Sequence, residues 1–208
     1  PEFYPEAVSD SPDLLLPLLP EIGAVGAQLT PAARVQRLNP DLTLNEAITS
    51  VDDLEAAGMG ATEVEARLAE WAQEHDDLTR RLHPWIDTPG YRANGRWGSA
   101  VDRRRAADRS MQCWRQTLIT RPGQGSQHLD FSDLCLGDIP ALPVRLEHVT
   151  TLSLNGVRLT ARGSDAFIAD FPALNTLHLN HNALTSLPES VGSLGRLNRL
   201  EAGFNNLE

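Results

Sequence analysis

The stretch LNTLHLNHNALTSLP, Leu174 to Pro188, sets two histidines and three asparagines among regularly spaced leucines. Leu174, Leu177, Leu179, Asn182 and Leu184 define a frame: leucine-x-x-leucine-x-leucine-x-x-asparagine-x-leucine. The frame recurs in LNRLEAGFNNL as Leu197, Leu200, Ala202, Asn205 and Leu207. Further upstream, VTTLSLNGVRL supplies Val149, Leu152, Leu154, Val157 and Leu159, and SQHLDFSDLCL supplies Ser126, Leu129, Phe131, Leu134 and Leu136. Successive starts are 23, 25 and 23 residues apart.

A fixed period with this internal spacing resembles the leucine-rich-repeat signature. Such a unit buries its apolar residues only by stacking on its neighbours, with a short parallel strand on one side and a turn or short helix on the other. The expected fold is therefore an N-terminal helical cap followed by an α/β solenoid with a parallel concave sheet. Asn182 and Asn205 are expected to satisfy backbone groups at the turn leaving each strand. The first two units lack that asparagine, as terminal repeats often do. Between strands, GSDAFIADFPAL predicts a short helix capped by Ser164 that packs Phe167, Ile168 and Phe171 inward.

Strand side chains alternate, so the residues between the leucines are expected on the concave face, about 5 Å apart across neighbouring strands. They form three rows: His128, Thr151, Thr176 and Arg199; Asp130, Ser153, His178 and Glu201; Ser132, Asn155, Asn180 and Gly203. All of these except Gly203 are candidate partner-binding residues. The middle row carries Ser153, His178 and Glu201 in the order of a nucleophile relay. Adjacency alone supplies neither an oxyanion hole nor a desolvated pocket, so no catalytic residue is assigned. His178 and His181 are three apart, with His128 two strands away, and no further ligand is spaced to close a tetrahedron. No metal and no cofactor is expected, and the polar face reads as a protein-binding surface.

The remaining sequence divides by composition. Residues 1–40 contain seven prolines, which predicts short pieces in a wrapping arm. Residues 41–121 are expected to form the helical cap, and residues 126–208 the repeats. Thr43 with Glu46 has capping-box spacing for a first helix ending near Gly58. Thr62 with Glu65 predicts a second start, and Val64, Leu68, Trp71, His75, Leu78 and Leu82 form one apolar stripe that Pro84 is expected to close. Within that stripe His75 reads as a packed ring, without a catalytic role. Ser99 begins a third helix whose apolar side is Ala107, Met111, Trp114 and Leu118, with Arg103, Arg104, Arg105 and Arg109 left for solvent or the acidic helices. Four tryptophans, Trp71, Trp85, Trp97 and Trp114, point to one helical core.

The net charge of -10 is uneven. Residues 41–77 hold eleven acids and one arginine, whereas residues 78–121 hold ten arginines and three acids. Opposed blocks can pair within one domain, and an acidic chain argues against nucleic acid as a partner. There is no lysine: all 18 basic residues are arginine. Cys113 and Cys135 make neither a disulfide framework nor a zinc cluster. No run of about 18 apolar residues predicts a membrane span, and no classical signal peptide is visible. The chain opens without methionine and ends inside the fourth unit, so the natural protein is expected to continue.

The helical region, LGDIPALPVRLEHVTTLSL entering the repeats, and LHLNHNALTSLPESVGSLGRLNRL together resemble bacterial leucine-rich-repeat effectors of the novel E3 ligase (NEL, IpaH-like) family. LTLNEAI and MQCWR are similar to the region before the repeats in large toxin-like members. The resemblance implies a ubiquitin ligase secreted by a bacterium into the host cell cytoplasm. Its repeats would bind a host protein substrate and hold the ligase's own C-terminal catalytic domain inactive. The family's catalytic cysteine lies in a Cys-x-Asp motif; Cys113 precedes Trp114 and Arg115, and Cys135 precedes Leu136 and Gly137, so no catalytic residue is carried over.

Overall fold

The computed structural model describes residues 29–88, 99–119 and 127–208. The expectations for residues 1–28, for Trp97 and for Ser126 lie outside the described residues.

Four helices precede the sheet: α1 (Pro31–Leu38), α2 (Leu44–Ala56), α3 (Ala61–Asp87) and α4 (Ala100–Arg115). Helix α1 falls in the segment read as a proline-rich arm. Thr30 caps it and Pro31 sits in its first turn, where the missing N–H costs nothing, and Val35 and Leu38 bury it against α2 and α3. For α2 the Thr43–Glu46 capping box forms, with the Glu46 carboxylate accepting from the Thr43 N–H at 2.8 Å. Gly58 follows in the left-handed conformation.

Helix α3 corrects two expectations. It starts at Ala61, with extended Gly60 as its cap, and the Glu63 carboxylate accepts from the Gly60 N–H at 2.7 Å. Thr62 therefore lies inside the first turn. At the other end Pro84 does not close the helix, which runs to Asp87. A proline removes one N–H from a helix interior, and tertiary bonds hold this last turn. Trp85 Nε1 donates to the Asp138 carbonyl at 3.1 Å, and the Arg103 guanidinium reaches the carbonyls of Trp85 and Thr88. The stripe of Val64, Leu68, Trp71, Leu78 and Leu82 is buried as predicted. His75 lies between them, its ring 5.7 Å from that of Trp114, and burial lowers its pKa.

Ser99 caps α4, accepting from the Asp102 N–H. Of the two places expected for Arg103, solvent or the acidic helices, it takes the second: it is 6% exposed and bonds carbonyls at the end of α3. Its guanidinium donates to the Leu136 carbonyl as well, so one arginine ties α3 and α4 to the first repeat and satisfies three carbonyls. Between the opposed charge blocks, Arg115 stands 4.0 Å from Asp41 and Trp114 Nε1 donates to Glu74.

The repeats supply β1 (His128–Asp130), β2 (Thr151–Ser153), β3 (Thr176–His178) and β4 (Arg199–Glu201) in one parallel sheet ordered β1-β2-β3-β4. Helix α5 (Ala161–Ile168) connects β2 to β3, and a 3-10 turn at Glu189–Ser193 connects β3 to β4. Thr160, rather than Ser164, caps α5, accepting from the Gly163 N–H at 3.1 Å. Ser164 is fully buried one turn on, and its hydroxyl donates to the Thr160 carbonyl. Phe167, Ile168 and Phe171 pack inward as the pattern requires, with Phe167 and Phe171 edge to face at 5.0 Å. Parallel strands joined by helical connections make this an α/β repeat fold.

Candidate functional site

Strand register brings the predicted rows together. His128 pairs with Thr151, Thr151 with Thr176, and Thr176 with Arg199; one step on, Asp130, Ser153, His178 and Glu201 are partners in the same way. The intervening Leu129, Leu152 and Leu177 are buried at 4% or less. The strand residues thus form one polar face opposite the leucines, as alternation demands, but Ser153, expected on its surface, is buried at 6% exposure between its neighbours.

Residues of the first two rows form two separate pairs. Ser153 Oγ lies 2.9 Å from Nε2 of His128 on the neighbouring strand, while His178 Nδ1 lies 2.9 Å from Glu201 Oε2. The order Ser153, His178, Glu201 is thereby divided between two contacts. Glu201 also accepts from Arg199 Nε at 2.9 Å and from Asn180 Nδ2 at 3.3 Å. The bond to His178, then that to Arg199, holds the Glu201 carboxyl down to about 2. On the first strand, the Ser132 N–H donates to Asp130 Oδ1 at 2.8 Å, and Asp130's pKa is lowered by that bond together with the nearby His128 and Arg109 against the opposing effect of burial.

The third row belongs partly to the scaffold. Asn155 Oδ1 accepts from the Asn180 N–H at 2.9 Å, and Asn180 Oδ1 accepts from the Gly203 N–H at 2.8 Å. Each asparagine side chain fastens the backbone of the next unit. A second ladder runs on the inner side. Asn182 Nδ2 reaches the Leu154, Leu179 and Asn180 carbonyls and its Oδ1 accepts from the Leu159 N–H. Asn205 repeats this with the Leu179, Ala202 and Gly203 carbonyls and the Leu184 N–H. The residue before each of these frame positions is left-handed in all four units: Asp133, Gly156, His181 and Phe204. That turn aims the following side chain inward.

With this geometry the family comparison is specific. Residues 147–207 match the family model described as leucine rich repeat. Residues 147–207 are thus leucine-rich repeats. No curated protein and no solved structure gives a match. The first frame, Leu129 to Leu136, precedes the matched stretch yet adopts the same strand and the same left-handed turn.

Sequence reasoning missed the wall of the site. Helix α4 stands beside β1, where Arg109 Nη1 donates to the Asp130 carbonyl at 2.6 Å. Arg109, Gln112, Gln116, His128 and Asp130 line a cleft of about 360 Å³ there, at the end of the first two rows. Cys113 forms its floor, with Sγ 3.4 Å from His148 Nε2; burial pushes the thiol up to about 12, where it is a poor nucleophile. Nothing in the local pattern of α4 distinguishes Arg109 from its exposed neighbours, because the contact depends on how the cap meets the sheet. Among the described residues no three His, Cys, Asp or Glu side chains are grouped to hold a metal ion, and no helix is long and apolar enough to cross a membrane.

Proposed function

We propose that this chain is the substrate-recognition region of a bacterial effector ubiquitin ligase delivered into the host cell, a solenoid whose concave rows bind a host protein. The observation that carries the protein-binding part is the face itself: across four strands in register it offers only hydroxyl, imidazole, amide, carboxylate and guanidinium groups. Backbone ladders and the two asparagine ladders hold the strands that carry those groups, so little backbone ordering is left to be done on association. The α4 wall with Arg109 closes one side of the face. A protein surface of mixed charge fits it better than nucleic acid, since the carboxylates of Asp130 and Glu201 lie among the cations.

The ligase part rests on the resemblance of LTLNEAI, MQCWR and the repeat segments, and it is supported by the absence of lysine. A recognition arm that holds a substrate beside a ubiquitin-transferring cysteine gains from offering no side-chain amine of its own. The same arm would restrain its catalytic domain until substrate arrives.

One experiment separates these parts. The protein, expressed with all the sequence its gene encodes, is incubated with ubiquitin, activating enzyme, conjugating enzymes and a host lysate. The expected result is a reductant-sensitive ubiquitin adduct on the protein and ubiquitin conjugates on a host protein; Thr151→Arg with Thr176→Arg abolishes the conjugates and leaves the adduct. Absence of any adduct removes the ligase reading, and conjugates that survive both substitutions remove the concave site.

A further inference from the structure

We propose that the cleft between α4 and β1 binds an extended, uncharged peptide segment of the partner protein, held by its backbone between the two walls. The proposal rests on the reading of the adjoining strands as a protein-binding face, and it adds what the partner must offer at their end. Strand β1 is one edge of the sheet. The Phe131 N–H donates to the Ser153 carbonyl and the Thr151 N–H to the Gln127 carbonyl, each at 2.8 Å, so residues 127 and 131 face β2. Alternation along the strand turns the N–H and C=O of Asp130 the other way, toward α4. There the carbonyl accepts from Arg109, and the N–H of the same residue lies on that side too. One wall of the cleft is thus a strand edge.

The opposite wall is the side of α4 that carries Arg109 and Gln112, both exposed. A glutamine carboxamide holds N–H donors and a carbonyl acceptor in one plane, the same pairing a peptide group offers, so Gln112 can meet a backbone with both. The floor is Leu129 and Cys113, 4% and 6% exposed, which shields bonds made above it from water and seats an apolar side chain. Charge selects the occupant. The Arg109 guanidinium and the Asp130 carboxylate cancel, so an anion entering the cleft meets Asp130 and a cation meets Arg109. A neutral extended backbone meets neither penalty. Strand-edge recognition works in this way, with main-chain bonds giving affinity and every second side chain giving specificity. At about 360 Å³ the cleft lies near the lower end of ligand pockets, which run from about 300 to 1,000 Å³, and it takes a short segment.

A phage library of random linear peptides, panned against the purified chain, supplies the probe. Recovered peptides are expected to carry an apolar residue between uncharged ones and to bind the wild-type chain in fluorescence anisotropy. Gln112→Trp fills the cleft and is expected to abolish that binding. Gln112→Glu keeps the shape and removes the N–H donors, and a loss of about ten-fold is expected, that of one hydrogen bond. Gln112 is exposed, so neither change disturbs the core. Thr176→Arg, two strands away, is expected to leave peptide binding unchanged, and bound peptide is expected to slow hydrogen exchange at the Asp130 N–H. Failure to enrich any peptide, enrichment of strongly charged peptides, or binding that survives both Gln112 variants overturns the proposal. Binding lost with Thr176→Arg and kept in the Gln112 variants overturns it too, and leaves the concave strands standing as the protein-binding face.

Discussion

Asn182 satisfies three carbonyls and one amide with a single side chain, and two of those four partners belong to the preceding unit. Replacing it by leucine keeps the volume and leaves those backbone groups without a bond. Asn182→Leu is expected to lower stability by about 1 to 3 kcal/mol, the cost of orphaned buried groups. Urea unfolding measures it, and an unchanged midpoint would show that the ladder is idle. This role was legible in the sequence, because the asparagine falls at a fixed place in the frame. The roles of Asn155 and Asn180 were not: they fall at positions that read as solvent-facing, and only the register shows each one holding the next backbone. Left-handed turns were equally hidden. Gly156 could announce one, but Phe204 is a bulky residue that rarely adopts positive φ, and the stacking of units imposes it there.

At the scale of elements, the apolar stripe of α3 and the box of α2 were readable because both express period and capping directly. The continuation of α3 past Pro84 was not, since it depends on Trp85 and Arg103 meeting segments far away in sequence. A second long-range tie joins the residues after α5 to the segment before β2. Asp170 accepts from the Leu142 N–H at 2.6 Å, and its own carbonyl accepts from Leu146. Burial pushes this carboxyl up to about 6, against the lowering effects of the Leu142 bond, Arg145 and Arg81. A carboxyl with a raised folded pKa contributes stability that is complete below its ordinary value of 3.8 and is lost as pH rises through about 6. Asp170→Asn keeps an acceptor for Leu142 and cannot titrate. It is expected to flatten the pH dependence of the melting temperature across that window and to melt above the wild type at pH 8. Parallel profiles for the two proteins would contradict this. Glu201 acts in the opposite sense: its depressed pKa contributes stability above its ordinary 4.5 that is lost as pH falls through about 2.

At the scale of the molecule, one continuous set of buried side chains runs from Ala32 in α1 to Leu194 before β4. The helical region seals the first repeat through Arg103, Arg109 and Trp85, and in doing so it builds the wall beside the polar face. The order of the strands and the rows across them followed from the period alone. The wall did not, because residues 119–127 between α4 and β1 carry no pattern that fixes an angle. The account's central claim is that a partner lies against the strands rather than against the connections on the other side. A photo-crosslinking side chain placed at Thr176 reports on the strands, and one placed at exposed Glu189 in the 3-10 turn reports on the connections. In a cell lysate, Thr176 is predicted to capture one discrete protein and Glu189 none. Capture of the same protein from Glu189 and not from Thr176 would contradict the concave site directly.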